Sequence, residues 1–320
     1  MMRAPKCLSV AVRRPDGSIA VREGPLRAKL LNGPYSKVPG LRGVLMLFES
    51  LSLGYGALRF SAEQQMTEEE RQSAGDGNGA VGLSVALALG MFILLPQGLT
   101  SGLAKLLGVQ WDLTSPMFHV VTGAFKLVVF TVYLSLISMV EDVRRVFQYH
   151  GAEHKTIFAY EAGKPLTLEN VRAESRLHPR CGTTFLVVVI AVSIVLGAVV
   201  TPLVLPHAQG ASGWVQTFLL RVALLPLVAA ISYELQRLSA RYCTTGPLRL
   251  LLYPGFLFQK ITTREPDDAQ LEIAIAAMEV ARLRDEAPVA TTEPDRVHVF
   301  AGLANIADAM GAPTMPRAAE

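Results

Sequence analysis

The chain has 320 residues, of which 51% are hydrophobic and only 18% charged, with mean hydropathy +0.35 and a formal net charge of +3. Soluble domains carry about 25% charged residues, so this balance speaks against an ordinary soluble domain and for a membrane protein. The expected partners are membrane lipids and an unidentified substrate, with no nucleic acid. The cysteines Cys7, Cys181 and Cys243 are far apart, odd in number and not in CxxC pairs. A disulfide scaffold is therefore not expected, and a reduced, cytoplasmic setting fits. Residues 1–40 hold no apolar core of the signal-peptide kind, so no signal peptide is expected.

Residues 1–80 read as a cytoplasmic N-terminal region. Within it, residues 8–24 alternate apolar and polar around Pro15-Asp16-Gly17, which predicts a β-hairpin. Residues 43–60 are apolar but interrupted by Glu49, Arg59 and several glycines, and predict an interfacial amphipathic segment rather than a span. Residues 63–79 are acidic and then Gly-rich, a flexible linker.

Residues 81–260 read as a membrane bundle. Runs at 81–99, 117–140, 183–205 and 215–233 reach the length of about 20 residues that a bilayer requires. Lys126, Pro202 and Pro226 interrupt them, as packed spans tolerate. Leu248–Phe258 carries Pro254-Gly255, is too short to span, and predicts a re-entrant or interfacial segment. Residues 261–285, with apolar positions Leu271, Ile275, Met278 and Leu283 behind Asp267-Asp268, predict a short amphipathic surface helix. Residues 286–320, rich in Ala and Pro, predict a disordered tail. The fold class is mainly α: a polytopic membrane helix bundle of about four spans with a small N-terminal β-hairpin element.

Basic residues set the expected orientation. Residues 1–80 hold eleven Lys/Arg, 100–116 hold Lys105 alone, 141–182 hold seven, 206–213 none, and Arg237, Arg241, Arg249, Lys260 and Arg264 follow. This pattern places both termini and the 141–182 loop on the cytoplasmic side of the membrane.

The loop contains the chain's densest polar cluster, His150-Gly151-Ala152-Glu153-His154. Two imidazoles four apart share a helix face. The order H-x-x-E-H is the reversed zinc-hydrolase pattern, with Glu153 as general base. A third ligand is needed. Glu161 lies seven residues past His154, about 10 Å of helical rise, so it joins only if the helix ends early. His178 and Cys181 offer ligand chemistry at the same membrane face, and thiolate with imidazole favours zinc. Glu234, at the end of the fourth run, adds a carboxylate at that level. Taken singly, each of these residues also fits a headgroup contact or a solvated loop. Arg176 and Arg180 are expected to neutralise lipid phosphates or a nearby carboxylate, Lys126 to snorkel or pair inside the bundle, and His119 and His207 to be structural.

The segments Tyr149 to Thr156, Tyr160-Glu161, His178 to Thr183, Ser232-Tyr233-Glu234 and Thr262 to Pro266 resemble the bacterial YqhQ-like family. So do Arg13 to Gly17 and Arg42-Gly43. It is a domain of unknown function whose members are labelled predicted metal-dependent enzymes, and the resemblance covers roughly residues 2–280. It implies a multi-span membrane protein with a metal site. Relatives carry a Gly-rich segment whose end matches Met1-Met2-Arg3, so a start placed too late or a lost segment is expected. The leading expectation is a cytoplasm-facing, zinc-dependent membrane hydrolase. The alternative is a membrane adaptor with a structural metal, and a transporter is the weaker third.

Overall fold

The hairpin forms where alternation predicts it. Strands β1 (Met2–Arg3), β2 (Cys7–Arg13) and β3 (Ile19–Pro25) pair antiparallel in sequence order. Asp16 Oδ1 accepts hydrogen bonds from the Ser18 amide and hydroxyl at the turn, and Gly17 supplies a φ of 86°, a left-handed conformation that glycine adopts without a Cβ penalty. These strands belong to a computed structural model that describes residues 1–26, 38, 40–67, 78–179, 181–242, 250, 253–286 and 294–309. Most of the predicted 63–79 linker, Arg180 and Cys243 lie outside the described residues.

Helix α1 (Leu41–Gln65) begins beside the bundle and ends under the sheet, where Ala57 and Phe60 pack on Val10, Val12 and Ala20. Next, α2 (Asn78–Leu89) passes through a π-helical stretch, Gly90–Leu94, into α3 (Leu95–Leu106). Pro96 explains the wide turn: its ring cannot sit against the carbonyl four residues back in a regular α-helix. Then follow α4 (Pro116–Ile137), α5 (Glu141–Glu161), the short α6 (Leu168–Ala173) and α7 (Gly182–Val204). Helices α8 (Gly210–Ala223) and α9 (Leu225–Tyr242) come next, then α10 (Tyr253–Thr262) and α11 (Asp268–Glu286). Strand β4 (Arg296–Phe300) and α12 (Ala304–Ala309) close the described chain.

Val81–Leu106, Pro116–Ile137 and Gly182–Val204 are long and apolar enough to cross a membrane. Gly210–Ala223 and Leu225–Ser239, bent by 44°, make a fourth if taken as one span. The chain is thus a mainly helical polytopic bundle with a small antiparallel sheet. The run predicted at 215–233 is broken because Pro226 has no amide to give the Val222 carbonyl.

Two expectations are corrected. Residues 268–286 are not a surface helix: Leu271, Ile273, Ala274, Ile275, Ala276, Ala277, Val280 and Ala281 are buried, between the sheet on one side and α5 on the other. The alanines give α11 a second apolar face, which counting only the large residues misses. The tail is not structureless throughout, because β4 pairs with β3 from Ile19↔Phe300 to Glu23↔Arg296 and Ile306 is buried. A strand made by pairing with residues nearly 280 positions away leaves little trace in local composition. In the short segment ending at Phe258, α10 packs on α7, where a Cβ on Gly255 would meet the Thr184 hydroxyl at 2.5 Å.

Candidate metal centre

Helix α5 presents His150 and His154 on one face, their ring centroids 4.4 Å apart. The second element is the start of α7, where Cys181 is the N-cap residue and its sulfur accepts from the Thr183 amide. Cys181 Sγ lies 3.3 Å from His150 Nε2, and the ligand atoms of His150, His154 and Cys181 all lie within 4.8 Å of one another.

Both ring orientations are set from behind. His150 Nδ1 is 2.9 Å from the Thr262 carbonyl, and His154 Nδ1 is 2.5 Å from the Arg176 carbonyl. A carbonyl only accepts, so each Nδ1 carries a proton and each ring turns its Nε2 toward Cys181. Metal-ligating histidines are held in this way. The carbonyls are themselves anchored. Arg176 donates to the Thr263 carbonyl and lies 3.7 Å from Glu265. Lys155, buried beside His154, pairs with Glu265 at 2.6 Å and donates to the Arg172 and Glu174 carbonyls. Gln259 makes two 2.8 Å hydrogen bonds to the backbone of His178. Gly151 lets the 262–266 segment cross α5: a Cβ there would meet the Arg264 carbonyl oxygen at 2.2 Å.

Electrostatics follow from this convergence. Burial pushes the Cys181 thiol up, but hydrogen bonds and charge from His150 and His154 outweigh it and bring it down to about 5. Burial pushes His150 down, while Cys181, the Thr262 carbonyl and Glu153 more than restore it, for a net rise. In a neutral trio, two lone pairs would compete for one thiol proton. A cation between them removes that conflict, as does a thiolate beside an imidazolium. Tetrahedral zinc separates N and S ligands by about 3.6 Å, given bonds of about 2.1 and 2.3 Å. The donor set and its 3.3 Å spacing fit such an ion.

The other predicted site residues are placed as follows. Glu153 is partly exposed, 3.8 Å from the Met1 amino group, and lines both adjoining cavities of about 500 and 1100 Å³. His178 stands next to the trio, its ring 5.6 Å from that of His154, with Nε2 3.5 Å from Glu161 at the end of α5. Helix α5 does not end early, so Glu161 reaches His178 and not the trio. Glu234 is placed elsewhere: it pairs with Arg42 and accepts from the Gly40 amide, joining α9 to α1. Sequence reasoning missed the supporting residues Lys155, Gln259, Thr262 and Glu265. The close spacing of Thr262 to Pro266 behind α10 is the signal that pointed nearest to them.

The fold and the cluster define a polytopic helix bundle of membrane type with a His₂Cys centre beside one end of its third span-length helix. The chain belongs to a family described as protein of unknown function, DUF1385, whose profile matches residues 38–283. It is 36% identical over 290 residues to the uncharacterized protein YqhQ of Bacillus subtilis (strain 168), an alignment covering 85% of this chain and 86% of that protein. No solved structure matches.

Proposed function

We propose that the protein is a zinc-dependent membrane hydrolase in which His150, His154 and Cys181 would hold the zinc beside the cavity. The observation that carries this reading is the pair of Nδ1–carbonyl hydrogen bonds that aim both Nε2 lone pairs at one thiolate. Zinc with three protein ligands supplies Lewis acidity and lowers the pKa of a coordinated water toward neutrality. Glu153, next to His154 in sequence and lining both cavities, would serve as the general base. His178 and Glu161 also line the smaller cavity. The loop-charge asymmetry supports a cytoplasmic placement of this site in a bacterial inner membrane. The exposed apolar edge of α1, with Phe48, Leu51, Tyr55 and Leu58, suits a helix lying along the membrane interface.

Metal analysis of purified protein tests the reading: the His150→Ala/His154→Ala double variant should lose its zinc, and undiminished zinc would sink the proposal. A structural-metal adaptor is the second reading, favoured by the way the trio ties α5 to the start of α7. Glu153→Gln separates the two. An enzyme keeps zinc and fold but loses its cellular phenotype, whereas a structural site keeps all three.

A further inference from the structure

A second polar cluster lies farther along the bundle, about 18–24 Å along α7 from Cys181 at 1.5 Å per residue. Helices α2, α3, α4, α7 and α8 contain no Asp or Glu. They nevertheless bring together His119, Lys126 and Arg221. Arg221 Nη2 donates to His119 Nδ1 at 3.4 Å, and Lys126 Nζ donates to Ser193 Oγ at 3.1 Å. His119 is within electrostatic reach of both cations. Each cation's described partner is thus a neutral group. Arg221 Nη1 is buried with no hydrogen-bond partner among the described residues, as is the hydroxyl of Thr201. One helix away, Gln97 is fully buried with both amide atoms unpartnered.

Cations inside an apolar bundle are costly unless a counter-charge accompanies them. A guanidinium with one free edge presents donors in the geometry that oxyanions match. Gly197 lets the His119 ring approach α7 closely: a Cβ there would stand 3.0 Å from His119 Nδ1. Arg221 as a whole is only half-buried, so the cluster opens to the bundle's periphery.

We propose that Arg221, with His119 and Lys126, forms an anion site between α4, α7 and α8 for a phosphate group, carried on a lipid or free. The site does not depend on the zinc reading.

The test is thermal unfolding of the full chain in micelles of dodecyl maltoside, which carries no phosphate, with added inorganic phosphate in one arm and added phosphatidylglycerol in the other. Wild type should gain about 2–4 °C in one arm or both. A gain with phosphatidylglycerol alone identifies a lipid phosphate, and a gain with inorganic phosphate identifies a free one. Arg221→Met should abolish the gain and Lys126→Met should reduce it, with zinc content unchanged in both. If Arg221→Met does not fold, the wild-type arms and Lys126→Met still decide. No gain in wild type from either source, or an equal gain in wild type and the variants, overturns the proposal.

Discussion

His150 Nε2 and Cys181 Sγ meet at 3.3 Å although 31 positions separate them in the chain. The contact joins a helix face to a helix N-cap, and both partners are prepared for it. The imidazole is turned by the Thr262 carbonyl, and the sulfur accepts from the first turn of α7. With metal absent, this contact is a thiolate facing an imidazolium, and its strength depends on pH.

Chelator-treated protein should therefore alkylate at Cys181 with a midpoint near pH 5, far below the ordinary thiol value of 9.0. Added zinc should protect it. The sign for stability follows. A depressed thiol contributes stability that is fully present above its unfolded pKa and is lost as pH falls toward about 5. His150 is raised, so its contribution is full below its ordinary value and disappears as pH climbs through the raised one. Because the two titrate as a pair, Tm of the metal-free protein should be bell-shaped in pH, with its acid limb near 5. Cys181→Ser should flatten the curve. A midpoint near 9 for alkylation would contradict the geometry.

Gly151→Ala places a methyl where the Arg264 carbonyl oxygen lies 2.2 Å away. That contact is backbone against backbone, so α5 or the 262–266 segment must move, and the Thr262 carbonyl behind His150 moves with it. Destabilisation of about 1–3 kcal/mol and lower zinc occupancy are expected, read by thermal unfolding and metal analysis. Gly54→Ala is the control. Nothing lies within 4 Å of a Cβ there, so it should be neutral or stabilise by up to about 1 kcal/mol.

The His150/His154 pair is legible in the sequence because i,i+4 spacing on a helix is a local property. The alternation of basic and neutral loops brings the Cys181 segment to the same end of the bundle. What separates Cys181 from His178 is not local. The choice depends on how the 174–181 loop is turned, and Gln259, 81 residues downstream, turns it through two backbone hydrogen bonds. Glu234 illustrates the same limit. Its depth along the bundle is readable, but its partner Arg42 lies 192 positions earlier. The apolar faces of α11 and β4 likewise acquire meaning only from the sheet and helix they meet.

Gln259→Ala tests that turning role. It removes both hydrogen bonds and leaves the buried His178 amide unpartnered, while the His178 carbonyl keeps the Cys181 amide at 3.3 Å, a loss of about 1–3 kcal/mol. The loop carrying Cys181 loosens while His150 and His154 stay on α5. Zinc affinity, measured by competition with a chelator, should fall about 10–100-fold, as for other residues that support metal ligands. An unchanged affinity would mean that Cys181 is positioned by α7 alone.

Glu23 holds the sheet's last strand from the inside. It is 2% exposed on β3, with Arg284 of α11 at 3.1 Å and His298 of β4 at 3.0 Å. Removing one member of a buried ionic cluster leaves the others uncompensated, typically at about 3–5 kcal/mol. Glu23→Ala should therefore free β4 and expose the peptide bond after Arg296 to trypsin, while Glu23→Gln, which keeps an acceptor for His298, should do so less. Because the metal cluster is built on α5 and the start of α7, zinc content should survive both substitutions. Rapid cleavage with zinc retained would show that the β4 lid on the sheet and the metal centre are separable units. Loss of zinc together with β4 would mean instead that α11 transmits the sheet's packing to α5.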